Sequence, residues 1–145
     1  MTSNATRSSA LVRALQAGIE GDRDALAAVL TDDVRAWAPA LSAGSLAELV
    51  DALVHRDDVL EAFSDVELVA TALDVGGDHG CVEWSLALTH SGPLALGPEA
   101  VVAPTGLRVV LHGVTVAEFR DDRICALRQY WDESSLTDQL GVGRP

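Results

Sequence analysis

Two cysteines are too few for a disulfide scaffold, and Cys81 and Cys125 each stand in a strand-like run where a small buried thiol fits. Basic residues are also scarce. Ten Lys and Arg against twenty-two Asp and Glu leave a formal charge of -12, which repels nucleic-acid backbones and anionic lipid surfaces. Neither nucleic acid nor a membrane is therefore an expected partner, and the acidity reads as a solvated surface. No apolar run approaches the length of a membrane span. Met1 to Ala10 is polar and lacks the apolar core of a signal peptide, so the expected location is the cytoplasm. No His, Cys and carboxylate cluster has metal-ligand spacing, so no metal and no other cofactor is expected.

What is present is a globular composition: 48% of the 145 residues are apolar, enough for the core of one domain covering residues 1–145. Residues 1–8 read as a disordered arm. From Ser8, Leu11, Val12, Leu15 and Ile19 recur at helical spacing until Gly21. Asp22 then caps a short helix carrying Ala25, Leu26, Val29 and Leu30. Val34 to Ala38, with Trp37 inside and Pro39 behind, reads as an edge strand or an extended arm. Ser45 caps a third helix whose stripe is Leu46, Leu49, Val50, Leu53 and Val54. Strand-like runs follow at Val66 to Val75, Cys81 to His90, Leu107 to Phe119 and Ile124 to Trp131, joined mostly by short turns that favour antiparallel hairpins. Ser91 to Gly106 is a long Gly- and Pro-bearing loop, and Ser134 to Leu140 is a closing helix stopped by Gly141.

This order, together with Thr89-His90-Ser91-Gly92-Pro93-Leu94, Pro104-Thr105-Gly106, Arg128-Gln129-Tyr130-Trp131-Asp132 and Gln139-Leu140-Gly141, resembles the SnoaL-like polyketide cyclases, from about Leu11 to Gly141. The resemblance implies the cone-shaped α+β fold shared with nuclear transport factor two and ketosteroid isomerase. In that fold a curved, mostly antiparallel sheet wraps N-terminal helices around one central apolar pocket. One sheet face lines the pocket and the other forms a homodimer, here through Val114, Val116 and Tyr130. The resemblance also implies an aspartate directly after an arginine on the last strand, and here Arg128 is followed by Gln129. The histidine of the penultimate strand corresponds to Thr115. The Arg and Asp of the related epoxide hydrolases correspond to Trp84 and Leu86.

Because side chains alternate along a strand, Val82, Trp84, Leu86 and Leu88 should share a face with Val109, Leu111, Gly113 and Thr115, and with Leu127, Gln129 and Trp131. Trp37 is expected to join Trp84 and Trp131 in the pocket, with Leu86, Leu111, Gly113 and Leu127 as further substrate contacts. Gln129 and Thr115 are the first candidates for catalysis, as hydrogen-bond partners of a carbonyl. Asp132 and His112 are second choices. A carboxyl among apolar walls is pushed towards its neutral form, while the plainer role for Asp132 is a helix cap. A lone strand histidine such as His112 is more often a surface residue. His90 fits a turn-stabilising role as well as ligand contact, and His55 and His79 carry no assigned function.

The expected function is a cyclase or isomerase acting on an apolar polyketide-type intermediate. Ring closure by constraint, such as a cycloaddition, suits a site without the aspartate. A non-catalytic binder of a hydrophobic small molecule is the alternative. A third reading is epoxide opening with Asp132 or Glu83 in place of the usual acids.

Overall fold

Apolar side chains at helical spacing need a surface to cover, and in this protein that surface is one face of a six-stranded sheet. The computed structural model describes residues 4–39, 41–95 and 100–141, with the side chains of 54–60 left aside. Val54 and His55, the first three residues of the expected arm and part of the Ser91 to Gly106 loop lie outside the described residues.

Helix α1 (Asn4–Glu20) buries Ala10, Leu11, Ala14, Leu15 and Ala17 and ends at Gly21, whose φ of 69° is the left-handed conformation that glycine adopts without strain. Burying Leu11 fully contributes about 1.5 to 3 kcal/mol. The helix begins before Ser8, which corrects the expectation of a disordered arm for residues 4–8. Arg7 is the reason. Its guanidinium donates to the carbonyls of Gly77 and Asp121, lies 3.6 Å from the Asp78 carboxylate and sits over the Phe119 ring. One side chain thereby ties the first turns of α1 to two hairpin tips far along the chain.

Asp22 caps α2 (Arg23–Val29) by accepting from the Ala25 amide at 3.1 Å. Leu30 leaves that helix and opens β1 (Leu30–Ala38), which is followed by β2 (Leu41–Ala43). Helix α3 (Leu46–Leu60) starts with a capping box. The Ser45 hydroxyl accepts from the Glu48 amide and the Glu48 carboxylate accepts from Gly44 N–H. The long strands are β3 (Phe63–Gly76), β4 (His79–His90), β7 (Arg108–Arg120) and β8 (Arg123–Trp131), and the loop after β4 holds a small hairpin, β5 (Leu94–Ala95) with β6 (Val101–Val102).

The main sheet runs β2-β1-β8-β7-β4-β3 and is antiparallel except where β1 meets β8. Strand β1 thus has partners on both sides, which corrects its expected place at the edge. Pro39 does not prevent this because it stands beyond the end of the strand. Helix α4 (Glu133–Leu140) closes the chain against β7. Strand β8 reaches only to the level of Gly113, so among the described residues the edge of β7 beyond it has no strand partner. There the Gln139 amide takes over: its Oε1 accepts from Val110 N–H at 2.9 Å and its Nε2 donates to the Val110 carbonyl at 2.7 Å. The core lies between the inner sheet face and the helices, with Leu11, Leu26, Leu30, Val34, Val82, Val109 and Ile124 fully buried. Among the described residues, no helix is long and apolar enough to cross a membrane.

Candidate functional site

The hydrogen-bond registers align the inner face in rows. Val82 of β4 stands opposite Thr115 of β7, which stands opposite Gln129 of β8; the next row is Trp84, Gly113 and Trp131. Leu86 pairs with Leu111, and Leu127 pairs with Ala117. The alternation expected for β4, β7 and β8 is therefore present, and Thr115, Gln129, Trp84, Leu86, Leu111, Gly113, Leu127 and Trp131 all share this face. A bulge near Cys125 shifts β8 by one residue between Ile124 and Ala126, but it precedes the functional stretch and leaves its parity intact.

Within this face Trp84 reaches diagonally across to β7. Its indole N–H donates to the Thr115 hydroxyl at 3.0 Å, and both side chains are buried. Glycine at 113 makes this possible, since a β-carbon there would collide with the indole ring. Thr115 uses a lone pair on Trp84 and keeps its own hydrogen to donate. The Gln129 amide, its cross-strand neighbour, is half-buried and makes no hydrogen bond to another described residue. Two polar groups with donor capacity thus stand side by side among apolar walls.

Three expected residues lie elsewhere. Trp37 stands opposite Arg128 and is 45% exposed, its ring 5.2 Å from that of Tyr130 on the outer face. Leu30, Val34 and Ala36 are the buried positions of β1, so by plain alternation Ala36 and not Trp37 points inward. The three tryptophans do not converge. His112 pairs with Ser85 on the outer face and is exposed. Asp132 is the N-cap of α4. Its carboxylate accepts from the Ser134 hydroxyl at 2.6 Å and the Ser134 amide at 3.0 Å, and these bonds hold the carboxyl below its usual range. It is held ionised, the opposite of the proton-donating form considered for catalysis. Glu83 is exposed on the outer face as well. There the Arg128 guanidinium, 2.7 Å from Glu118, lowers the Glu118 carboxyl.

No Asp or Glu occupies the inner face of β4, β7 or β8. Among the described residues the buried polar side chains are Thr115 and His90. His90, for which the sequence left a turn role and ligand contact open, belongs to this face. It continues the alternation of Val82, Trp84, Leu86 and Leu88 by one more step, and that was the available signal. Its Nδ1 lies 3.0 Å from the Thr105 hydroxyl and 3.2 Å from the Thr105 amide, and its Nε2 is buried with no partner among the described residues. A solvent-open cleft of about 550 Å3, bordered by Arg23, Asp32, Ser45, Leu46 and Val50, lies by α2, β1 and α3 and includes none of these inner-face residues.

Comparison with solved structures places the architecture. A protein from Jannaschia sp. CCS1 assigned as a SnoaL-like polyketide cyclase superposes with a TM-score of 0.75 at 21% identity, covering 97% of this chain and 95% of that one. IdmH from Streptomyces antibioticus, assigned as a polyketide cyclase, gives 0.75 at 20% identity over 94% and 99%. An LEH-like epoxide hydrolase of M. tuberculosis gives 0.68 at 19% identity over 97% and 88%. At these identities the likeness is one of fold. No curated protein matches the chain in sequence. The family model described as the SnoaL-like domain matches residues 9–127, from α1 into the first half of β8, and the chain belongs to the SnoaL-like family.

Proposed function

We propose that the chain is a cyclase or isomerase that closes a ring in an apolar polyketide-type intermediate, by cycloaddition or a related constrained closure, in an apolar pocket between the inner sheet face and the helices. One observation carries this reading: the inner face bears the donors Thr115 and Gln129 beside Trp84 and Trp131, and no carboxylate. Apolar walls hold a flexible chain folded, which removes part of the entropic barrier to closure. Hydrogen bonds from Gln129 and Thr115 to a carbonyl withdraw electron density and favour the transition state. A general base is not required by such a step, and this face supplies no carboxylate to act as one.

The experiment is turnover of a linear polyketide-type substrate, scored as an isomeric product of unchanged mass. Gln129→Leu and Thr115→Val should each lower kcat by about tenfold or more while Tm holds for Gln129→Leu. Turnover unchanged in both would sink the reading. The absence of an inner carboxylate favours a second reading equally, a carrier of a hydrophobic small molecule; ligand bound tightly and recovered unchanged would select it. The epoxide-opening reading loses its support, because Asp132 caps α4 and Glu83 faces outward.

A homodimer through the outer face belongs to the proposal. Val114, Val116 and Tyr130 lie there with Trp37 and Val110, and Trp37, Val110 and Tyr130 are exposed large apolar groups that a second copy would cover. A monomeric mass in sedimentation at micromolar concentration would refute it. A cytoplasmic location goes with the two free thiols and with a biosynthetic role.

A further inference from the structure

Among the described residues two buried side-chain polar atoms have no hydrogen-bond partner, Thr31 Oγ1 and His90 Nε2, and the second belongs to a fully buried ring. His90 is 0% exposed and lies on the inner face two residues beyond Leu88. Its ring hydrogens follow from its neighbours. The Thr105 amide can only donate, and it points at Nδ1 from 3.2 Å, so Nδ1 carries the lone pair. The Thr105 hydroxyl accepts from Leu107 N–H at 3.2 Å and turns its own hydrogen to the same Nδ1, 3.0 Å away. Backbone bonds fix the ring's base, with His90 N–H donating to the Leu107 carbonyl and Gly106 N–H donating to the His90 carbonyl. Phe63 packs beside the ring with centroids 5.7 Å apart. In the neutral imidazole the proton is therefore on Nε2, and Nε2 is the buried atom with no partner among the described residues.

Buried donors are ordinarily paired, and an unpaired one in so constrained a ring signals an acceptor that arrives from outside the chain. We propose that His90 is a ligand-binding residue whose Nε2–H donates to a carbonyl or enolate oxygen of a substrate in the cone interior, and that Thr105 is the positioning residue that fixes its tautomer. This rests on the reading of the inner face as a ligand site and adds a third polar contact to Thr115 and Gln129. Six residues of extended strand, about 20 Å before curvature, separate His90 from Trp84. The ligand is accordingly an elongated, oxygenated molecule that meets Thr115 and Gln129 with one part and His90 with another.

The test uses 1-indanone and indane, which share a carbon skeleton and differ in one carbonyl, on the full chain labelled with 15N-histidine and 15N-tryptophan. The ligand-free protein should show His90 protonated on Nε2. Indanone should move the His90 Hε2 resonance downfield, and indane should not. Indanone should bind about tenfold tighter than indane, the size of one buried hydrogen bond. His90→Asn keeps an acceptor for the Thr105 amide and removes the Nε2 donor; it should erase the preference while leaving indane affinity unchanged. The wild-type spectra stand even if that variant fails to fold. Indole signals of Trp84 and Trp131 that shift with indanone while Hε2 stays put would overturn the role of His90 and leave the interior site intact. A His90 protonated on Nδ1, or an Nε2–H already bonded within the ligand-free chain, would overturn it too. If neither compound perturbs any indole or His90, the interior takes no such ligand, and the proposed function fails along with this inference.

Discussion

The indole of Trp84 occupies the space that a β-carbon on Gly113 would need, and from there it donates to the Thr115 hydroxyl at 3.0 Å. The two residues are directly paired across β4 and β7. A glycine that would otherwise weaken a central strand is thus the condition for a buried polar bond.

Gly113→Ala should therefore displace the indole and lower stability by about 1 to 3 kcal/mol. For a domain of this size each kcal/mol lowers Tm by roughly 2 to 4 °C. Scanning calorimetry measures this, and near-UV circular dichroism should report the altered tryptophan. An unchanged Tm would place the Trp84 ring elsewhere.

Asp132→Ala should fray α4 without altering turnover, because the carboxylate is occupied in capping. Amide exchange at Ser134 and Ser135 reports the fraying. The folded carboxyl lies below its usual 3.8, so its stabilisation is complete above about pH 4. It declines as pH falls through the folded value. The difference in Tm between wild type and variant should be constant at neutral pH and shrink only in acid. Loss of activity with α4 intact would restore Asp132 as a catalytic candidate.

Arg7→Ala should release the first turn of α1 together with the Gly77 and Asp121 hairpin tips. Hydrogen bonds from a charged donor are worth about 1.5 to 3 kcal/mol, and exchange should rise at both tips simultaneously. Arg7→Lys should not rescue, since an ammonium lacks the planar fork that reaches two carbonyls. Protection unchanged at both tips would contradict the tie.

Gln139→Glu retains an acceptor for Val110 N–H but cannot donate to the Val110 carbonyl in its ionised form. It should lower stability by about 1 to 3 kcal/mol, recovered in part when acid protonates the new carboxyl. Gln139→Leu, which loses both bonds, should show no such recovery. Equal pH profiles for the two variants would refute the clip.

The inner faces of β4, β7 and β8 were legible because each is a long strand with an unbroken alternation over the functional stretch. Thr115, Gln129, Trp84 and Trp131 followed from that alone. The cap role of Asp132 was legible from its place before Ser134, and its catalytic alternative lost to that local chemistry. Trp37 was misplaced because its size argued for burial, whereas alternation from the buried Val34 and Ala36 puts it on the outer face. His90 was legible only as a choice between a turn role and ligand contact, because it ends its strand where the loop composition begins.

The sequence by itself determined the element order, the parity of the long strands and the absence of an aspartate after Arg128, because periodicity and residue identity are local properties. Only the tertiary structure decided which groups meet. Thr105 lies 15 residues from His90 and Thr115 lies 31 from Trp84. Arg7 reaches across 114 residues to Asp121. Such contacts depend on register, bulges and the approach of distant turns, which no local pattern encodes.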